Sequence, residues 1–213
     1  NNQYFIPTAS QYYTLTVIAT NGCQSQDSLF VQVNPLPAIY AGQDIEVCAG
    51  QTVTLAGSFG TIYYWSGGIQ NGVSFIPTTS GAYSVTGLDI NGCQNTDLVL
   101  VTVHANPVVS AGVDPAICLG DSVLLSATGA LNYSWSNGMA NGSYITPNFT
   151  TLLEVTGTNQ FGCTGSDLFE ITVNQPTFST LNVVFQGPYT LNGITYNQSG
   201  TYTQVIPNAA GCD

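Results

Sequence analysis

The sequence predicts an all-β protein built from small antiparallel sandwich domains in tandem, and three observations support this prediction. Cysteine and tryptophan recur at one fixed spacing, since Cys48 and Cys118 lie 70 residues apart and so do Trp65 and Trp135. Short runs of residues alternate between apolar and polar with a period of two. Glycine-containing turns separate these runs, and no helical periodicity interrupts them. A repeat of this length is too long for a solenoid unit and fits a small independent β-domain.

The composition restricts the partners of the chain. Its 213 residues include no Lys or Arg, one His and 11 acidic residues. Such a surface repels phosphates and anionic lipid headgroups, so no nucleic-acid partner is expected. No apolar run approaches the roughly 20 residues of a membrane span, so no membrane insertion is expected. Six cysteines without a CxxC motif or a Cys/His pair favour disulfides in an oxidising, extracellular compartment over metal ligation.

The first region, residues 1–34, is predicted to be the C-terminal half of a sandwich domain. Two alternating strands meet there at Asn21-Gly22, a dipeptide that favours a tight hairpin turn. The following NPLP segment at 34–37 is a linker, because each proline holds its neighbour in an extended backbone.

Two complete repeats follow, at residues 35–104 and 105–174. In the first, Val53 and Leu55 alternate with threonines and are expected to point inward from the second strand. The tryptophan of each repeat lies one residue before a turn-forming stretch on the next strand, which favours a core position over a sugar-stacking one. The predicted core aromatic residues are Trp65, Trp135, Tyr83, Tyr13 and Tyr202.

The last region, residues 175–213, is a shortened relative of the same domain. Its segment GTYTQVIPNAAGC aligns with GAYSVTGLDINGC of the first complete repeat. Cys212 nevertheless follows Cys163 by only 49 residues, so part of the front half, including the early cysteine, is missing. We therefore expect a truncated sandwich here.

The repeated motifs resemble those of a known family. The series (V/I)CxG, V(T/L)L, YxW(S)xG, aromatic-I-P-T, GxYxVTG, NGC and VTVN is similar to the Ig-like and PKD-like repeats of very large secreted surface proteins of Bacteroidota. These include gliding-motility adhesins and other cargo of the type IX secretion system. The resemblance covers nearly the whole chain and implies tandem immunoglobulin-like sandwiches in an elongated rod, serving as stalks or spacers at the cell surface.

The cysteines have two alternative pairings. Pairing within a repeat would join Cys48 to Cys93 and Cys118 to Cys163. In an Ig-type sandwich, however, the early cysteine and the late one lie at opposite poles, roughly 20–25 Å apart, whereas a disulfide needs Cα atoms within about 7 Å. Pairing between neighbouring domains is therefore preferred: it joins Cys48 to Cys163 and Cys118 to Cys212, and leaves Cys23 and Cys93 for cysteines ahead of residue 1.

No catalytic site is expected. His104 is a lone histidine that is expected to be solvent-exposed at a strand-to-linker junction, and the chain lacks the charged groups that stabilise acyl or phosphoryl transfer. No cofactor is predicted, although carboxylates make calcium a weaker alternative. The candidate pairs for calcium are Asp89 with Asp97 and Asp114 with Asp121.

Two serines are candidates for modification. Asp27-Ser28-Leu29 and Asp121-Ser122-Val123 resemble the Asp-(Ser/Thr)-aliphatic O-glycosylation motif of Bacteroidota, although a three-residue motif is a weak signal and plain turn entries are the favoured interpretation. Ser28 and Ser122 would be the acceptors.

These observations favour a non-catalytic stalk or filament segment of a secreted adhesin, stiffened by disulfides. Its expected partners are neighbouring repeats of the same chain, with other cell-surface proteins or glycans as further candidates. The alternative is a carbohydrate- or calcium-binding accessory module of a secreted enzyme.

Overall fold

The chain forms two compact units. The structure is a computed structural model that describes residues 4–177, 180–184, 186–204 and 211–212. Unit 1 spans Asn1–His104 and unit 2 spans Ala105–Asp213. Each unit contains one complete repeat and one partial repeat.

The complete repeat of unit 1 is a sandwich of a four-stranded and a two-stranded sheet. Its strands are β3 Ile45–Cys48, β4 Val53–Thr54, β5 Ile62–Trp65, β6 Ser74–Phe75, β7 Gly81–Leu88 and β8 Gln94–His104. The larger sheet has the order β3-β8-β7-β5, and the smaller sheet pairs β4 with β6. The only helical segment among the described residues is a 3-10 turn at Ser66–Gly68, where the sequence predicts a glycine turn.

The strand order confirms the predicted immunoglobulin-like fold with one difference. Strands β7 and β8 form a long antiparallel hairpin, and β5 pairs antiparallel with β7. Strand β3, however, pairs parallel with β8, so the sheet is not antiparallel throughout. The parallel pairing follows from topology, because β3 and β8 both run toward the end where the chain leaves the repeat.

The core lies between the two sheets. Val53 and Leu55 point inward from the smaller sheet, as the alternation predicts, and Trp65 is 6% exposed. The side chain of Asn71 lies at the polar edge of this tryptophan. Its Oδ1 atom accepts hydrogen bonds from Trp65 Nε1 at 2.9 Å and from the Gly57 N–H at 2.7 Å. The amide thus satisfies the polar edge of a ring whose body is buried.

Unit 2 repeats this architecture. Its strands are β9 Ala116–Cys118, β10 Val123–Leu124, β11 Asn132–Trp135, β12 Tyr144–Ile145, β13 Thr151–Thr158 and β14 Thr164–Asn174. The larger sheet has the order β11-β13-β14-β9, and the smaller sheet pairs β10 with β12. The core includes Trp135, which is 2% exposed and packs edge to face on Phe169 with ring centroids 5.7 Å apart.

Replacing Asn141 by alanine is expected to destabilise unit 2 by about 1–3 kcal/mol. Asn141 Oδ1 accepts from the Ala127 N–H at 2.7 Å and from Trp135 Nε1 at 3.3 Å, and the change would leave both donors without their acceptor. Denaturant unfolding followed by tryptophan fluorescence measures the loss. The exposed Gln160, changed to alanine, serves as the control and should shift stability by less than about 0.5 kcal/mol.

The two partial repeats form smaller sheets. In unit 1 the hairpin consists of β1 Gln11–Ile18 and β2 Gln24–Val31, with Val17 opposite Ser25. In unit 2 the last region contains β15 Thr180–Val183, β16 Tyr189–Leu191, β17 Ile194–Tyr196 and β18 Gly200–Thr203. These strands form two separate two-stranded sheets, β15 with β18 and β16 with β17.

The predicted core aromatic residues fall into two groups. Trp65 and Trp135 are buried in the two cores, and Tyr83 packs against the first core while half-buried. Tyr13 and Tyr202 are half-buried and belong to neither core. Each packs on a neighbouring ring outside the two core clusters, Tyr13 on Phe5 and Tyr202 on Tyr196, so their predicted core role is corrected to that of a half-buried ring pair.

Candidate functional site at the ends of the repeats

The early cysteine of each complete repeat is fixed at the end where the chain leaves the repeat. Parallel pairing sets Cys48 opposite His104, the last residue of β8, and Cys118 opposite Asn174, the last residue of β14. A tight turn holds each cysteine. The Cys118 carbonyl accepts from the Asp121 N–H at 3.0 Å, while Asp121 Oδ2 accepts from the Cys118 N–H at 3.0 Å.

The late cysteine lies in the hairpin turn at the opposite end of the repeat. Asp89 Oδ1 accepts from the Cys93 N–H at 2.8 Å, and Asn159 Oδ1 accepts from the Cys163 N–H at 3.0 Å. Gly92 and Gly162 adopt φ angles of 80° and 79°, a left-handed conformation that glycine adopts without strain. The two hairpins therefore present their cysteines in the same way.

This geometry contradicts the within-repeat pairing. Cys93 directly precedes β8, an 11-residue strand, whereas Cys48 lies opposite its last residue. At about 3.3 Å per residue the two cysteines are roughly 30 Å apart, far beyond disulfide reach. Cys93 is a free thiol, and Cys118 is bonded to Cys212 rather than to Cys163. Cys23 is also a free thiol and is exposed.

The disulfide between Cys118 and Cys212 links the second complete repeat to the last region of the chain. The Cα atoms are 5.4 Å apart, and the bond spans a sequence separation of 94 residues. Cys212 is 2% exposed, so the bond is shielded from solvent. Disulfides of this kind form in oxidising compartments, which indicates an extracellular or secreted protein. The preferred pairing of Cys48 with Cys163 stays a prediction.

The carboxylates considered for calcium act as acceptors for backbone amides. Asp89 holds its hairpin turn, and Asp121 holds the turn after Cys118. Asp114 Oδ1 accepts from the Glu170 N–H at 2.9 Å. Asp97 Oδ2 accepts from the Ala41 N–H at 2.9 Å, across the repeat. Within residues 4–177, 180–184, 186–204 and 211–212, no three His, Cys, Asp or Glu side chains form a group that could hold a metal ion.

Asp97 is expected to make unit 1 sensitive to acid. Backbone hydrogen bonds from Ala41 and Leu98 lower the pKa of this carboxyl below its ordinary value of 3.8, and desolvation opposes them. The stabilisation is therefore complete above pH 3.8 and is lost as the pH falls from 3.8 through the lower folded-state pKa. Denaturant midpoints of the wild type and of Asp97→Asn, measured between about pH 2 and 7, should converge at the acid end. A difference that stays constant with pH would contradict this role.

His104 is more enclosed than the sequence suggests. Its side chain is 15% exposed, and Nε2 lies 3.0 Å from Glu46 Oε2 on the neighbouring strand β3. The predicted exposed junction histidine is therefore wrong, because the parallel pairing of β3 with β8 covers it. When protonated it forms an ion pair with Glu46.

The candidate sugar-stacking tryptophans are buried, whereas the candidate glycosylation serines are exposed. Trp65 and Trp135 bury their rings, so neither offers a platform for stacking a sugar. Ser28 and Ser122 are both exposed, in strand β2 and in the turn before β10. Ser122 Oγ lies 2.9 Å from Thr146 Oγ1. O-glycosylation at these serines stays a prediction.

Sequence reasoning missed several residues that the structure brings together. Asn71 and Asn141 accept hydrogen bonds from the two tryptophans, and Asp97 and Asp167 accept hydrogen bonds from the backbone N–H groups of Ala41 and Ala111. The signal was present, because each pair recurs at the 70-residue spacing of the cysteines. No helix in the described part of the chain is long and apolar enough to span a membrane.

Solved structures with similar architecture are tandem immunoglobulin-domain proteins. The insect immune protein hemolin aligns with 77% of this chain at 17% identity and a TM-score of 0.36, and the aligned chain covers 56% of hemolin. An I-band fragment of titin aligns with 78% of this chain and 75% of its own, at 13% identity and a TM-score of 0.37. The immunoglobulin domains 1–4 of sidekick-1 align with 78% of this chain and 58% of their own, at 14% identity and a TM-score of 0.33.

No protein-family model matches the chain, and no curated protein matches its sequence. The immunoglobulin-like description therefore rests on the strand order and the core of this chain itself.

Proposed function

We propose that the chain is a non-catalytic stalk segment of a large secreted cell-surface adhesin, in which disulfides bridge successive repeats. The observation that carries this proposal is the Cys118–Cys212 disulfide, which joins one complete repeat to the region that follows it. A bond placed there restrains the joint between neighbouring repeats instead of the inside of one sandwich.

The equivalence of the repeats supports an array with a uniform mechanical role. The turn that holds Cys118 has a counterpart at Cys48, where the N–H donates to Gln51 Oε1 at 3.2 Å. The late cysteine occupies the same type of hairpin in both complete repeats. We extend the proposal to a pairing of Cys48 with Cys163, so that each joint carries one covalent bridge.

The finer assignment follows the resemblance of the repeats. The proposal places the chain among the type IX secretion cargo of Bacteroidota, including gliding-motility adhesins, with neighbouring repeats as its main partners and an elongated rod as its form. A carbohydrate- or calcium-binding module remains the alternative outcome. The buried tryptophans and the backbone bonds of the carboxylates give it no support.

A disulfide map of the full chain tests the pairing. Trypsin has no site in a chain without Lys and Arg, so the unreduced chain must be digested with chymotrypsin or with a protease that cleaves at Asp or Glu. We expect peptides that join Cys48 to Cys163 and Cys118 to Cys212. A peptide that joins Cys48 to Cys93 would refute the bridging of joints.

Small-angle scattering tests the mechanical part of the proposal. The oxidised chain should give the profile of an extended particle, and reduction of the disulfides should broaden its distribution of distances. A compact oxidised particle would contradict the stalk. Calcium titration or glycan binding with a dissociation constant below about 1 mM would support the accessory-module alternative instead.

A further inference from the structure

The N-terminal hairpin, strands β1 and β2, exposes a face that is buried in both complete repeats. Leu15 is 65% exposed and Leu29 is 68% exposed. Their counterparts 70 residues later, Val85 and Val99, are 0% and 1% exposed. A shallow depression on the hairpin is lined by Tyr13, Thr14, Leu15, Asp27, Ser28 and Leu29.

The complete repeats show what covers this face. In unit 1 the front half of the repeat, residues 36–80, supplies the opposite side of the core, and its strand β5 pairs with β7, the counterpart of β1. Trp65 lies opposite Val85 in that register. Asp97 Oδ2 accepts a hydrogen bond from the front-half residue Ala41.

The hairpin retains the groups that make these contacts. Asp27 occupies the position of Asp97, and its Oδ1 atom accepts from the Ser28 N–H at 2.9 Å. The Leu98 N–H donates the equivalent hydrogen bond to the carboxylate of Asp97. The second carboxylate oxygen of Asp97 accepts from Ala41, a residue of the front half. Strand β1 also has one free edge, because within the described residues it pairs with β2 alone.

We propose that the inner face of this hairpin binds a polypeptide of the repeat front-half type, by completing the sandwich and adding a strand to β1. Strand addition of this kind gains affinity from main-chain hydrogen bonds and specificity from side-chain pockets. The register of the complete repeat would place the tryptophan of the incoming segment opposite Leu15. The backbone N–H at the position of Ala41 in that segment would then donate a hydrogen bond to Asp27.

Val17 determines which front-half sequences fit the hairpin, because it carries a side chain where the complete repeats carry none. The complete repeats have glycine at this position, Gly87 and Gly157, and both are buried. A Cβ atom at Gly87 would lie 2.3 Å from Cδ1 and 2.9 Å from Cγ1 of Ile39. A front half that fits the hairpin therefore has a small residue in place of Ile39.

In the second repeat, a side chain at the glycine position would clash with two residues instead of one. A Cβ atom at Gly157 would lie 2.6 Å from Val109 Cγ2 and 2.6 Å from Ala130 Cβ. The first repeat has Gly60 where the second has Ala130. Shortening Val109 alone would thus leave the clash with Ala130, whereas replacing Ile39 by alanine removes the three atoms nearest to a Cβ at Gly87.

The test uses the full chain and synthetic polypeptides of residues 36–80 with Cys48→Ser, titrated by calorimetry. The Ile39→Ala polypeptide should bind, and hydrogen exchange should locate new protection in residues 11–31. The polypeptide with Ile39 should bind about tenfold more weakly or worse, because overpacking a core is costly. Val17→Gly in the full chain should restore its binding. A polypeptide of residues 106–150 with Val109→Ala and Cys118→Ser should stay weak.

Several results would overturn the proposal. One is the absence of protection in residues 11–31 with every polypeptide, and another is equal binding of the Ile39 polypeptide by the wild type and by Val17→Gly. Concentration-dependent protection of the hairpin without any polypeptide would show that a second copy of the chain covers the face. If the polypeptides are poorly soluble, a second variant tests the same proposal. Residues 36–80 with Ile39→Ala are fused directly before Gln11, and Leu15 should become buried in this fused chain.

Discussion

Removal of the Cys118–Cys212 disulfide is expected to destabilise the last region of unit 2 by about 2–4 kcal/mol. The bond closes a segment with a sequence separation of 94 residues, and a cross-link over a long segment lowers the entropy of the unfolded chain more than one over a short segment. The double variant Cys118→Ser with Cys212→Ser avoids a new unpaired thiol. Chymotrypsin should then cleave within residues 175–213 much faster than in the oxidised wild type.

Cys23→Ser is the matched control for this prediction. Cys23 is a free and exposed thiol in a hairpin turn, so its replacement should change the free energy of unfolding by less than about 0.5 kcal/mol. Equal cleavage rates of the double variant and the wild type would mean that the last region is held by its own packing and not by the disulfide.

Replacement of Trp135 by alanine is expected to cost unit 2 about 3–5 kcal/mol. The ring is 2% exposed, packs edge to face on Phe169, and its removal leaves a cavity between the two sheets. It also removes the donor that Asn141 accepts at 3.3 Å. Denaturant unfolding followed by circular dichroism measures the effect, because one of the two tryptophan reporters is lost.

Leu131→Ala provides the control for the tryptophan prediction. Leu131 immediately precedes β11, the strand that carries Trp135, but its side chain is 65% exposed, so the change should cost less than about 0.5 kcal/mol. A loss below about 1 kcal/mol for Trp135→Ala would contradict a core role for this ring.

Much of the candidate site was predictable from the repeat. The spacing of Cys48 and Cys118 located the exit end of each repeat, and Cys93 and Cys163, also 70 residues apart, located the opposite end. The cysteines lie in turns that hydrogen bonds between near neighbours in the sequence define, and such turns can be predicted from the local sequence. Long-range partners were less accessible to sequence reasoning. The bond from Asp97 to Ala41 joins residues 56 positions apart, and no local signal specifies it.

By itself, the sequence determined the all-β class, the tandem repeats and the inward position of both tryptophans, because a two-residue alternation and a fixed spacing are properties of the chain alone. The tertiary structure decided the parallel pairing of β3 with β8, the cover over His104, and the exposure of Leu15 and Leu29. The physical reason is the same in each case. Burial depends on which segment faces a residue across the sandwich, and alternation shows only which residues share a face.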